Sequence, residues 1–135
     1  FTDISTPVSK VFQTKKGVCQ DYAHFTIACL RSIGLAAKYV SGYLETLPPP
    51  GKPKMVGADA SHAWIALYIP GLDWVEFDAT NDLLVSDMHV RVAFGRDFAD
   101  VTPLKGIIYS SGHQMMKVSV DVRRPEELDQ LKQSV

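Results

Sequence analysis

A thiol, an imidazole and a carboxylate occur in this chain in an order that suits covalent catalysis. Cys19 lies in the run Gly17-Val18-Cys19-Gln20-Asp21-Tyr22-Ala23-His24. Ser61-His62-Ala63-Trp64 follows, and then Trp74-Val75-Glu76-Phe77-Asp78-Ala79-Thr80-Asn81. A free thiol has a pKa near about 8.5, so little of it is ionised at neutral pH. A helix N-terminus favours the thiolate through its unpaired N–H groups and partial positive charge, and a protonated histidine nearby lowers the pKa further. The same N–H groups can hold an oxyanion, and the backbone N–H of Cys19 is the preferred donor. His62 is then the base. Asp78 accepts a hydrogen bond from it and fixes its tautomer and ring orientation.

Each of these residues also has a plainer role. A cysteine taken singly is most often a small buried apolar residue. Cys29, mid-helix beside the buried stripe, fits that description. His62 could satisfy a local bond at a strand end, and Asp78 could cap a turn. His24 is five residues from Cys19, about 140° around a helix, and points away from it. His89 and His113 stand near later strand starts and stay open as candidates. Gln20, Tyr22 and Trp64 are placed close to the substrate or the oxyanion. For Asp21 the helix dipole is a sufficient reason, and for Trp64 core packing is the plainer one. Arg96, Asp97 and Asp100 read as turn residues near the site.

These side chains need a helix and strands to hold them. Thr6-Pro7 offers a helix start, with one or two turns over 7–15. Residues 19–33 have a helical period that puts Cys19, Tyr22, Ala23, Thr26, Leu30 and Ile33 on one face, and Gly34 supplies the stop. Residues 36–45 read as a strand. The proline-rich stretch from Leu47 to Pro53 cannot pair and forms a loop that runs to about residue 60. Strands are expected at 62–69, 73–79, 88–93 and 114–123, with a turn at Pro70-Gly71. A short acidic-capped helix opens at Pro125. One helix followed by mostly hairpin-linked strands is an α+β pattern, a helix packed on a mostly antiparallel sheet.

The hairpin register matters for the site. A four-residue turn over 70–73 pairs Ile69 with Trp74, which puts His62 and Asp78 on opposite faces. Bringing them together requires another turn length or a bulge. That irregularity is the expectation.

The 135 residues fit one domain with one core. Hydrophobic residues make up 46% and charged ones 21%, the ordinary globular mix. A net charge of −1 without a basic block argues against nucleic-acid binding. No apolar run approaches a membrane span, and no leader is evident. On one helix the two cysteines lie about 15 Å apart along the axis, beyond the roughly 7 Å a disulfide allows. Two unbridged thiols point to a reducing, cytoplasmic compartment. No Cys-x-x-Cys or close histidine pair suggests zinc. Phe1 rather than methionine opens the chain, as expected of a fragment.

Gly-Val-Cys-Gln-Asp-Tyr-Ala, Ser-His-Ala-Trp and Trp-Val-Glu-Phe-Asp-Ala-Thr-Asn together resemble the transglutaminase-like superfamily of cysteine enzymes. The run from Ala93 to Gly106 (Ala-Phe-Gly-Arg-Asp-Phe-Ala-Asp-Val-Thr-Pro-Leu-Lys-Gly) is similar to its bacterial cysteine-protease branch. The likeness spans nearly the whole chain, and three motifs in the right order make it specific. It implies a papain-like α+β core with Cys19 as nucleophile, His62 as base and Asp78 as orienter. It implies no metal or other cofactor, and a peptide or protein substrate. Helices and often a small β domain precede this core in family members, so residues 1–135 read as a single catalytic core missing its N-terminal part. The implied chemistry is acyl transfer, with hydrolysis placed ahead of amine crosslinking. The competing expectation is a catalytically silent binding or scaffold module of the same fold.

Overall fold

The computed structural model describes residues 7–126, except 53, 56, 58, 108, 110, 114 and 116. Helix α1 (Val8–Thr14) ends at Lys15 in the left-handed conformation. Helix α2 runs over Cys19–Ser32, as the period predicts. It stops where Gly34 takes φ +83°, with the Gly34 N–H bonded to the Arg31 carbonyl and the Leu35 N–H to that of Leu30. A left-handed residue is easiest for glycine there, because it has no Cβ to clash.

The buried stripe of α2 differs somewhat from the expected one. Ala23 and Ile27 are buried, and Cys19 and Leu30 pack beside them. Ile33 is 72% exposed. It lies past the last helical residue, at the C-cap, so its side chain no longer follows the helical period. Cys29 is exposed, contrary to the expectation of a buried filler, because it lies beyond the edge of the stripe.

Among the described residues five strands form one sheet: β1 (Ala37–Leu44), β2 (Ala60–Ile69), β3 (Asp73–Asp78), β4 (Leu83–Leu84) and β5 (His89–Gly95). Their order is β4-β3-β2-β1-β5, and every pair is antiparallel. The α+β architecture is therefore as expected. Strand β4 carries no signal in the sequence, since two residues are too few for a pattern. The alternation at 114–123 gives no regular strand among the described residues; Gln114 and Met116 lie outside them. Val120 makes a single bridge with Asp59. Side chains take up the next backbone groups instead: Asp59 Oδ2 accepts the Val122 N–H at 2.6 Å, and Lys54 Nζ donates to the Val122 carbonyl at 2.6 Å. Pro125 and Glu126 are helical, and the rest of the expected terminal helix lies outside the described residues.

Helix α2 covers one face of the sheet. Ala23 and Ile27 meet Ala37 and Tyr39 of β1 and Ala63 and Ile65 of β2, with Phe77 of β3 and Ala93 of β5 packed against them. On the opposite face Val40, Trp64 and Ala66 are buried, with Val85 against them. The alternation along β1 and β2 thus supplies both layers.

Candidate active site

The site is built at the N-terminus of α2 and the adjacent ends of β2 and β3. Gly17 lets the chain enter α2 tightly. A Cβ there would lie 2.9 Å from Asp21 Cβ and 3.1 Å from Val11 Cγ1. The buried Asp21 accepts the Val18 N–H at 2.9 Å and complements the helix dipole. Val18, at the N-cap, has no side-chain oxygen to offer the first amides. The backbone amides of Gln20 and of Ala63 in β2 both act to lower the Cys19 thiol pKa.

Burial alone would raise the Cys19 pKa. Hydrogen bonding to His62 and the charge of its ring outweigh this and, with the two amides, hold the thiol below its ordinary value. His62 is shifted the other way. Burial disfavours its cation, but the Cys19 and Asp78 hydrogen bonds and charges raise it above the usual histidine value. The two shifts run in opposite directions, each favouring the charged form of its group.

His62 Nε2 lies 2.7 Å from Asp78 Oδ2. Nε2 is thereby committed, which leaves Nδ1 as the nitrogen for the thiol. The two side chains share a face because the turn is one residue shorter than the regular register assumes. Ile69 pairs with Asp73 rather than Trp74. Pro70, Gly71 and Leu72 form the loop, with Gly71 at φ +88° and Asp73 at φ +65°. The Leu72 N–H donates to the Ile69 carbonyl at 2.9 Å. Pro70 before a positive-φ Gly71 is the residue pair that a type II turn favours. The expected irregularity is there, in the form of a changed turn length.

Asp78 is fully buried and well supplied with donors. Oδ1 accepts the Thr80 and Asn81 N–H groups at 3.0 and 3.1 Å. Oδ2 accepts from His62 and, at 2.7 Å, from Asn81 Nδ2. It also accepts from His89 Nε2, 3.1 Å away. Burial would raise this carboxyl, but the bonds from Asn81, His89 and His62 bring it down to about 2. The ligand atoms of His62, Asp78 and His89 lie within 4.8 Å of one another, close enough for one divalent cation. Such an ion would have to displace the hydrogen bonds just described.

The remaining sequence candidates fall around this centre. Gln20 contributes its amide to the thiol. The Tyr22 hydroxyl donates to the Lys15 carbonyl at 3.4 Å. Trp64 is fully buried; its ring centroid is 6.0 Å from that of His62, and its Nε1 donates to Glu76 Oε2 at 2.7 Å. Glu76 in turn pairs with Arg91. His24 points away, as expected, and its Nε2 accepts the Phe98 N–H at 3.2 Å. Arg96 pairs with Asp100, and Asp97 caps the 3₁₀ turn Phe98–Asp100. His113 is exposed. Sequence reasoning gave no role to Asn81, although it had a local signal, three residues after an aspartate in a turn. It kept His89 only as an open candidate near a strand start, with nothing to link it to Asp78.

Comparison with known proteins adds a second line of information. The family model described as the transglutaminase-like superfamily matches residues 2–79. An uncharacterized protein of Mycobacterium tuberculosis is 53% identical over 126 residues, covering 90% of this chain and 40% of the relative. An uncharacterized protein of Mycobacterium leprae is 42% identical over 112 residues, covering 81% and 38%. This chain therefore spans well under half of these relatives. The crystal structure of "a Putative Cysteine Protease from Cytophaga hutchinsonii" superposes with a TM-score of 0.59 at 36% identity, covering 75% of this chain and 31% of that one.

Proposed function

The chain belongs to the transglutaminase-like superfamily, and we propose that it is a thiol-dependent enzyme that transfers acyl groups from peptide or side-chain amides, with water as the usual acceptor. One observation carries this: His62 Nε2 is held 2.7 Å from the buried Asp78, and Cys19, at the first turn of α2, has its thiol pKa lowered by that imidazole against the effect of burial. The Cys19 thiolate attacks the amide carbonyl carbon, and the oxygen becomes an oxyanion facing the Cys19 N–H. As the C–N bond breaks, the His62 imidazolium protonates the leaving amine, giving a thioester and a neutral imidazole. His62 then takes a proton from water, whose oxygen attacks the thioester; the C–S bond breaks, the acid leaves, and Cys19 returns as thiolate beside a protonated His62. An amine in place of water gives crosslinking. Asp78 stays ionised throughout and holds the ring. Likeness to the Cytophaga protein, described as a "Putative Cysteine Protease", favours hydrolysis. Two free thiols fit a cytoplasmic setting.

A silent scaffold of the same fold would not need a shifted thiol beside a buried, ordered imidazole. The test is a vinyl-sulfone probe followed by mass spectrometry, together with amide turnover in the presence of candidate amines. The expected result is an adduct on Cys19 and release of the free acid, both abolished by Cys19→Ala with the melting temperature unchanged. Turnover that survives Cys19→Ala would contradict the mechanism, and incorporation of the amine would move the activity from hydrolysis to crosslinking.

A further inference from the structure

We propose that His89 is a positioning residue, one that fixes the Asp78 carboxylate from the far edge of the sheet and so holds His62 in line with Cys19. This deepens the acyl-transfer assignment and rests on it. His89 opens β5, and β1 and β2 lie between that strand and β3, which carries Asp78. Its Nε2 nonetheless reaches Asp78 Oδ2 at 3.1 Å. Nδ1 accepts the Ser86 N–H at 3.3 Å. Because that nitrogen is the acceptor, the proton of a neutral ring sits on Nε2, where it donates to the carboxylate. The ring is fixed by packing as well as by bonds. Its side chain is 1% exposed, and it meets the Trp64 indole edge to face, with centroids 5.2 Å apart.

A β-bulge is what puts this ring on the site's face. Between β1 and β5, Ser41 pairs with Ala93 but Gly42 pairs with Arg91, so Val92 is the extra residue. C-terminal to it, Ala93 packs in the layer under α2. N-terminal to it the parity is reversed, and His89 and Arg91 join Trp64, Glu76 and Asp78 on the opposite face. An unbroken register would present Val90 there instead. Gly42 allows the close approach. A Cβ at that position would strike the Val90 carbonyl and lie 2.6 Å from Trp64 Cη2.

The bond matters because Asp78 has two kinds of anchor. Its own turn, through Thr80 and Asn81, fixes the carboxylate relative to β3. His89 ties Oδ2 to the far side of the sheet and resists rotation of the carboxylate away from His62. Letting a reacting group drift by about 1 Å, even through a change one bond away, can cost on the order of 100-fold in rate.

The test uses the full chain with ¹⁵N-labelled histidine, carrying His89→Leu or His89→Gln; the glutamine keeps an N–H of similar reach. His89→Phe replaces the leucine variant if that one does not fold. Two readouts are taken. The first is the hydrogen-bonded Nε2–H resonance of His62, recorded in a Cys19→Ala background. The second is the iodoacetamide rate at Cys19 relative to Cys29 with both cysteines present. The expected result is a His62 resonance lost to exchange in His89→Leu and retained in His89→Gln, with Cys19 alkylation falling on the order of tenfold in the first and recovering in the second. A His62 resonance indifferent to His89→Leu overturns the proposal. So does a glutamine variant as impaired as the leucine one, which would assign the effect to bulk, and so does a parent protein with no protected His62 N–H. If the resonances behave as expected while no amide substrate is turned over, His89 keeps its role and the acyl-transfer assignment fails. Turnover with a resonance indifferent to His89 has the opposite meaning.

Discussion

Asp78 shows how much a single buried charge depends on its partners. Five donor groups surround its two oxygens, and its side chain is shut off from solvent. Removing the carboxylate strands those donors, so Asp78→Ala should cost about 3–5 kcal/mol in urea unfolding. Asp78→Asn places an amide where Oδ2 now accepts three N–H groups, and should lower turnover by at least about 100-fold through the loss of ring orientation. The sign of the pH dependence follows from the shift. The folded-state pKa of Asp78 is depressed to about 2, from 3.8. Its contribution of about 2 kcal/mol is therefore present above pH 3.8 and is lost as pH falls through about 2. Denaturation midpoints measured across that range would show it. Turnover has two limbs of its own. The acid limb should lie below the ordinary thiol value, because Cys19 is lowered, and the alkaline limb above the ordinary histidine value, because His62 is raised. A pH–rate profile whose acid limb sits at the normal thiol value would contradict the ion pair.

Among the secondary elements, the hairpin β2–β3 and the bulge in β5 make the site possible, and the sequence revealed them to different degrees. Helix α2, strands β1 to β3 and β5, and the order of Cys19, His62 and Asp78 were legible, because local period and motif carry that information. The changed turn length could be anticipated, since a regular four-residue turn would have split His62 from Asp78. The bulge could not. It depends on Gly42 lying against β5 across the sheet, a contact between residues about fifty positions apart. The contact of His89 with Asp78 was hidden for the same reason, although His89 itself stood as an open candidate. The segment 114–123 misled in the other direction: its alternation suggested a strand, but side chains of Lys54 and Asp59 captured the backbone groups of Val122. If the bulge needs a bare Cα at 42, Gly42→Ala should destabilise by about 1–3 kcal/mol, because the added Cβ would overlap the Val90 carbonyl and crowd the fully buried Trp64 ring. An unfolding midpoint equal to the parent's would show that β5 can shift freely.

The described residues form one sheet with α2 on one face, and on the other a small apolar cluster of Val40, Trp64 and Ala66 beside the network around Asp78. No helix among the described residues is long and apolar enough to cross a membrane. Asp59 ties the loop after β1 to the C-terminal segment, accepting from the Thr46 N–H and hydroxyl at 2.7 and 2.6 Å and pairing with Lys54 at 2.8 Å. Asp59→Ala strands these groups and should lower stability by about 3 kcal/mol, with faster proteolysis within 46–59 than in the sheet; protection equal to the parent's would contradict that role. The chain spans about 40% of the length of its mycobacterial relatives. The chemistry proposed here depends only on the row at the α2 N-terminus, and one labelling experiment addresses it directly. Iodoacetamide, applied across a range of pH and followed by mass spectrometry, reports Cys19 against the exposed Cys29 in the same molecules. Cys19 should react faster at neutral pH than Cys29, with a midpoint below the ordinary thiol value of about 8.5, and His62→Ala should remove that advantage. Equal slow labelling of both thiols, unaffected by His62→Ala, would contradict the account.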